Sequence, residues 1–149
     1  MDRLKLVALT GAGISAESGL STFRDAGGLW DNYPVEDVAT PEGLARNPEL
    51  VLNFYNKLRA DLEHIKPNDG HLALVRLEQL FDVYVITQNV DNLHEQAGSK
   101  NVVHLHGELT KVRSMRNENL IYDIGYKPIK IGDKADDGGQ LRPHIVFFG

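Results

Sequence analysis

Leu4-Lys5-Leu6-Val7-Ala8-Leu9-Thr10, followed at once by Gly11-Ala12-Gly13-Ile14-Ser15-Ala16, is the stretch on which the fold of this chain turns. A short apolar run that stops abruptly at two glycines reads as a buried strand feeding a tight turn, and residues 14–18 can then form a short helix. Strand, glycine turn and helix together match the G-x-G-x-x-A dinucleotide fingerprint. Glycine permits the turn, bare backbone lets a pyrophosphate come close, and the helix end favours its negative charge. A purely steric role for the glycines is the alternative. The acidic ribose partner of that fingerprint belongs at the end of a second strand about 20 residues on. Asp31 has the spacing but sits in an irregular segment, so the layout is not that of an ordinary dehydrogenase.

Outward from this turn, residues 19–38 lose all periodicity and carry glycines, Trp30 and Tyr33-Pro34. A stretch of that length in a compact domain reads as a functional loop. Thr40-Pro41-Glu42 and Asn47-Pro48-Glu49 are then two helix starts, each with a capping side chain, a first-turn proline and an acid. Phe54, Tyr55, Leu58, Leu62 and Ile65 follow at the spacing of one helical face. Pro67-Asn68-Asp69-Gly70 breaks the pattern, and residues 72–80 read as another helix.

Residues 82–87 are a second buried strand, Gln88-Asn89-Val90-Asp91 a turn, and a short helix runs to Gly98. A third strand starts at Val102 and ends near His106-Gly107. Residues 111–141 are polar and glycine-dotted, with weaker strand candidates at 120–124 and 128–131. Arg142-Pro143 opens a last apolar strand reaching Gly149. Alternation of strands and helices predicts an α/β fold with a parallel, Rossmann-like sheet. Such sheets usually have about six strands. Four are convincing here, and no helix follows the fourth. The expectation is therefore that residues 1–149 are the N-terminal portion of a longer domain whose C-terminal strands are missing.

Composition narrows the function classes. The chain has 149 residues, 42% hydrophobic and 25% charged, which argues against disorder. Its longest apolar runs fall far short of the ~20 residues of a membrane span, and Met1-Asp2-Arg3 leads into no signal-peptide core. An excess of 21 acidic over 16 basic residues speaks against nucleic-acid binding. With no cysteine there is no disulfide, thiolate nucleophile or Cys-ligated metal. The expected setting is soluble and cytoplasmic.

Several residue groups carry chemistry. Phe23 and Arg24 lie just beyond the glycine turn, where a guanidinium can pair with phosphate and a ring can cover the ligand. Gln88, Asn89 and Asp91 stand at a strand end, the edge where open α/β sheets bind ligands, and amides suit ribose hydroxyls and carboxamides. Capping of the next helix is the plainer role for Asn89 and Asp91. His104-Leu105-His106-Gly107 ends another strand. An imidazole can accept a proton at neutral pH, and alternation points only one of the two into a cleft. A metal site lacks a third ligand of convincing spacing. His64, His71, His94 and His144 read as surface or packing residues.

In order and separation, Gly11-Ala12-Gly13-Ile14-Ser15, Thr22-Phe23-Arg24, Gln88-Asn89-Val90-Asp91, His106-Gly107 and Arg142-Pro143 with Val146-Phe147-Phe148-Gly149 resemble the sirtuins, NAD-dependent protein-lysine deacylases. Gly27-Gly28-Leu29-Trp30 and Ala39-Thr40-Pro41 resemble the bacterial-type branch. The resemblance implies that Gly11, Ala12, Gly13, Ser15, Phe23, Arg24, Gln88, Asn89 and Asp91 bind NAD as co-substrate. It makes residues 19–38 the cofactor-binding loop, His106 the general base and Asn89 its catalytic companion. Val146, Phe147, Phe148 and Gly149 would receive an acyl-lysine peptide by backbone pairing, and Tyr55 would bind substrate from the helix before the pocket. Nicotinamide, free lysine and O-acyl-ADP-ribose would be the products.

Two positions depart from the family pattern. Sirtuins usually carry four zinc-binding cysteines between the His-Gly motif and the final strand. Here Ser114 and Asn117 stand in the first pair's place, so no zinc is expected, and the small module at 111–141 has to hold by packing through Ile121, Tyr122, Ile124 and Tyr126. Relatives that remove acidic acyl groups resemble Tyr-x-x-Arg. Tyr55 matches, but Leu58 replaces the arginine and Arg59 comes one place late, about 100° around a helix. Acetyl or a longer neutral acyl group is the expectation. Mono-ADP-ribosyl transfer and a non-catalytic NAD or ADP-ribose-binding role remain the alternatives.

Overall fold

The structure is a computed structural model that describes residues 3–20 and 29–149. Strands β1 (Lys5–Thr10), β2 (Asp82–Thr87) and β3 (Val102–His104) form one parallel sheet in the order β1-β2-β3. Thr10 pairs with Thr87 and Thr87 with His104, so all three strands finish at one edge. Between β1 and β2 run α1 (Ala12–Ala16), a 3₁₀ turn (Leu29–Asn32), α2 (Val35–Val38), α3 (Pro41–Arg46), α4 (Pro48–Leu62) and α5 (Asp69–Leu77). Helix α6 (Leu93–Ala97) joins β2 to β3. The fold is α/β and Rossmann-like, as its alternating pattern predicts.

The helix starts follow local chemistry. Thr40 Oγ1 accepts the Gly43 N–H and Asn47 Oδ1 the Leu50 N–H, with Pro41 and Pro48 at the first helical positions. Helix α5 begins earlier than its apolar pattern. Asn68 is an N-cap rather than a breaker, and His71 completes the box by accepting the Asn68 N–H.

The first strand is less buried than its composition predicts. Leu4, Val7 and Leu9 are 74%, 59% and 68% exposed. The sheet order leaves β1 at an edge, and among the described residues it pairs only with β2. Strand β2 alternates, burying Val83, Val85 and Thr87 while Tyr84 faces outward.

A second sheet corrects the expectation of a fourth parallel strand. Strands β4 (Gly107–Ser114), β5 (Ile121–Asp123) and β6 (Leu141–Ile145) are antiparallel in the order β5-β4-β6. The apolar run that looked like one strand to Gly149 therefore ends its regular pairing at Ile145. Gly107 makes this possible: its φ of +93° turns the chain straight after His106, and a Cβ there would collide with the His144 carbonyl. Residues 128–131 form no strand. Asn56 instead satisfies Ile129 from both sides, donating to its carbonyl at 2.7 Å and accepting its N–H at 2.9 Å.

Helix α4 packs the second sheet against α6 and the terminal segment. Val51, Phe54, Tyr55 and Leu62 pack with Leu93, Leu109, Ile145 and Phe147, while Leu52 meets Val112 and Ile129. Each fully buried side chain of this size contributes about 1.5–3 kcal/mol. Arg59 is also fully buried, with Nε donating to the Leu109 carbonyl at 2.7 Å and Nη1 to Asn56 Oδ1 and the Lys127 carbonyl. Tyr122, Ile124 and Leu141 complete the smaller core, whereas Ile121 is 42% exposed and packs less than expected.

Where the sirtuin resemblance would place thiolates, Ser114 Oγ donates to the Asp137 carboxylate at 2.7 and 2.9 Å. That carboxylate accepts the Gly139 N–H, and Arg116 Nη1 donates to the Asp137 carbonyl. A clasp of neutral and charge-assisted hydrogen bonds thus spans the module. EDTA is expected to leave the melting temperature unchanged; a drop on chelation would overturn this account of how the module is held. Among the described residues, no helix is long and apolar enough to cross a membrane.

Candidate functional site

Parallel register brings the turns after β1, β2 and β3 to one edge of the sheet, where the Gln88 N–H donates to the Thr10 carbonyl at 3.0 Å. Asn89 then reaches across: its Nδ2 donates to the Gly11 carbonyl at 2.8 Å and to Ser15 Oγ at 3.3 Å. Ser15 Oγ donates to Asp91 Oδ2 at 2.9 Å, while Asp91 Oδ1 accepts the Leu93 N–H at 3.0 Å. Asp91 is therefore both a cap for α6 and a partner of the glycine turn. Ser15, Asn89 and Asp91 are all at least nine-tenths buried.

Two histidines that the sequence reading left as packing residues complete this network. His71 Nδ1 accepts the Asn68 N–H, so the ring carries its proton on Nε2, which faces Ser15 Oγ at 3.4 Å. His94 Nε2 lies 3.0 Å from Thr10 Oγ1, and the two rings meet edge to face at 5.0 Å. Burial holds both below the ordinary imidazole value, and both are neutral at pH 7. His71 had a readable signal, its place three residues after a helix-capping asparagine. His94 had none.

A cleft of about 210 Å³ opens on the network, lined by Ala12, Ser15, Asn89, Asp91, Leu58 and Trp30. Gln88 also borders it, with Oε1 3.9 Å from where a Cβ on Gly11 would stand. Gly13 stands next to Ala12 of this lining. Its φ is not positive, and a Cβ added there would meet nothing within 4 Å among the described residues. Among those residues neither backbone conformation nor packing requires glycine at this position, so its backbone is open to approach from outside. Phe23 and Arg24 lie outside the described residues, as does part of the 19–38 loop.

His106 is exposed and its carbonyl accepts the Val146 N–H at 2.9 Å, so it borders the terminal segment. In that segment the Phe148 N–H is paired to the Ala39 carbonyl at 2.8 Å. Val146 and Phe148 are 55% and 59% exposed, Phe147 is buried and Gly149 is exposed. Tyr55 lies beneath, stacked on Phe147 at 5.7 Å, and burial raises its hydroxyl far above the usual phenol range. The Arg142 guanidinium lies over the Phe147 ring at 4.3 Å.

His104 points to a different place. A larger cavity, about 490 Å³, contains it together with Glu95, Glu108 and Lys111. Glu95 and Glu108 supply the neighbours that linear spacing did not offer, and the three could surround an ion. Yet Lys111 Nζ already pairs with Glu108 at 2.8 Å, and His104 with Glu95 at 2.6 Å. The cluster is self-neutralised, which disfavours a cation.

Comparison with known proteins gives the family of the chain. The Sir2 family model matches residues 11–149. A protein from Bacteroides thetaiotaomicron named NAD-dependent protein deacylase is 66% identical over 149 residues, covering 97% of this chain and 64% of that protein. One of the same name from Helicobacter pylori is 55% identical over 144 residues, covering 97% and 61%. The crystal structure of a Sir2 homologue–NAD complex superposes with a TM-score of 0.85 at 44% identity, covering 99% of this chain and 59% of that one. The chain thus spans somewhat under two-thirds of the length of these relatives. With family model, sequence and fold in agreement along nearly its entire length, the chain belongs to the Sir2 family.

Proposed function

We propose that the protein takes part in NAD-dependent removal of acyl groups from protein lysine. The observation that carries this reading is the network joining Ser15, Asn89 and Asp91 across the glycine turn, beside Gly13, whose backbone no other described residue crowds. Those residues fit a dinucleotide. Gly11, Ala12 and Gly13 leave bare backbone for the pyrophosphate, and Ser15, Gln88, Asn89 and Asp91 offer donors and acceptors to the nicotinamide ribose and carboxamide. Phe23 and Arg24 would cover and pair with the same ligand. NAD, when bound, supplies the activation that amide hydrolysis otherwise lacks.

The chain's own residues do the positioning. Asn89, fixed on both sides of its amide, orients the ribose. His106, exposed at the end of β3, accepts the proton of a ribose hydroxyl as general base. The backbone of Val146, Phe147, Phe148 and Gly149 receives the extended substrate, with Tyr55 supporting Phe147 from below. Leu58 lines the cleft, whereas Arg59 turns away to the Leu109 and Lys127 carbonyls. Arg59 therefore offers no cation to an acidic acyl group, and a neutral one such as acetyl is favoured.

Gly13→Ala tests the reading. Alanine gains up to ~1 kcal/mol of helix propensity, so the melting temperature holds or rises. ADP-ribose affinity by calorimetry is expected to fall about tenfold or more, since the backbone approach is blocked. Equal affinity in the variant would sink the dinucleotide site. Labelled NAD incubated with acetyl-peptide separates the chemistries: label on acyl-ADP-ribose supports deacylation, and label on the peptide would replace it with ADP-ribosyl transfer.

A further inference from the structure

The motif His104-Leu105-His106 leaves one histidine outside the proposed chemistry, and its surroundings are specific. The His104 side chain is 5% exposed. Its Nδ1 lies 2.8 Å from the Asn89 carbonyl oxygen and its Nε2 lies 2.6 Å from Glu95 Oε2, with Glu108 Oε1 at 3.6 Å. A backbone carbonyl can only accept, and so can an ionised carboxylate. A neutral imidazole has a single N–H and could serve one of them. Serving both requires two N–H groups, which is the imidazolium.

The surrounding charges support that state. His94 and Glu95 face the ring from α6, Glu108 and Lys111 from β4, and Asp123 and His144 lie in the same cavity from β5 and β6. His104 and Lys111 carry two positive charges against two negative ones on Glu95 and Glu108. Burial opposes the charged ring, but its bonds to Glu95 and Asn89 and the nearby carboxylates outweigh burial, and its proton is held above the ordinary imidazole range. His94 is kept neutral by its own burial and adds no repulsion.

Asn89 is the beneficiary. Its N–H is fixed by Thr87 Oγ1 at 3.0 Å and its carbonyl by His104, which leaves its side chain aimed at Gly11 and Ser15. We propose that His104 is a positioning residue: held doubly protonated between the Asn89 carbonyl and the Glu95 carboxylate, it fixes the turn that presents the Asn89 amide to the cofactor. Only the ligand-binding part of this rests on the function proposed above.

The sign of the pH effect follows. A group whose proton is held more tightly in the folded state contributes its full support below the ordinary imidazole value. That support is lost as pH rises through the raised one. Long-range proton–nitrogen NMR from about pH 6 to about pH 9, with ADP-ribose calorimetry over the same range, tests it. Both His104 nitrogens are expected to be protonated at pH 7, and the Asn89 and Val90 amide shifts to follow the His104 titration. ADP-ribose affinity should fall about fivefold over that step. Glu95→Gln should move ring titration and affinity step together to lower pH, and His104→Gln should bind more weakly with no step. A singly protonated ring at pH 7, or Asn89 shifts indifferent to its titration, would overturn the proposal. So would stoichiometric zinc binding at His104, which would make the cluster a metal site. If the unaltered protein binds no ADP-ribose, the dinucleotide reading fails, and the NMR titration still decides for or against His104.

Discussion

Replacing His106 by alanine is expected to slow acetyl-peptide turnover by about 10²–10⁴-fold, the usual worth of a positioned general base. ADP-ribose affinity should stay within about twofold, because no hydrogen bond of the Ser15, Asn89 and Asp91 network passes through this ring. The split matters more than the loss. His106 is tied into the fold through its backbone carbonyl, which any residue retains, so alanine leaves the Val146 pairing intact. Side-by-side turnover and calorimetry check it. Unchanged turnover, or affinity lost in proportion to turnover, would remove His106 from the role of base.

The second large effect falls on stability. Arg59 sits fully buried in α4 with no carboxylate among its hydrogen-bond partners, and burial lowers its guanidinium to about 10. Its cost in desolvation is offset by what it joins: the Leu109 carbonyl of β4, the Lys127 carbonyl and Asn56, which in turn holds Ile129. Arg59→Ala strands these acceptors and opens a cavity between α4 and the second sheet. About 3–5 kcal/mol of stability is expected to go, read by urea unfolding. Arg59→Met keeps much of the volume and should recover part of it. A loss below about 1 kcal/mol for the alanine variant would mean that Arg59 is not the link between α4 and the second sheet.

What could be read from the sequence divides along physical lines. The parallel strands, the capped helices α3 and α4 and the turn residues Gly11, Ser15, Asn89 and Asp91 were legible because each depends on local pattern. Strand β4 was not. Its Glu-Leu-Thr-Lys-Val-Arg-Ser alternation carries only two large apolar residues, and its pairing depends on a Gly107 turn whose geometry exists only against β6. Arg59 looked like a displaced pocket residue because one-dimensional spacing shows the angle of a side chain but not its acceptors. His94 is hidden for the same reason, since a buried imidazole is recognised by what surrounds it, whereas the spacing of His71 from Asn68 carries a capping signal.

The clasp between Ser114 and Asp137 changes what threatens the small module. Thiolate ligands are the groups that peroxide and electrophiles attack first, and their oxidation releases the metal they hold. A hydroxyl and a carboxylate offer no such target, so oxidation cannot release the clasp through its own bonding groups. The weak point moves to acid instead. Hydrogen bonds from the Gly139 N–H and Ser114 hold the Asp137 carboxyl below its usual value, and the support it gives is lost as pH falls through that lowered value.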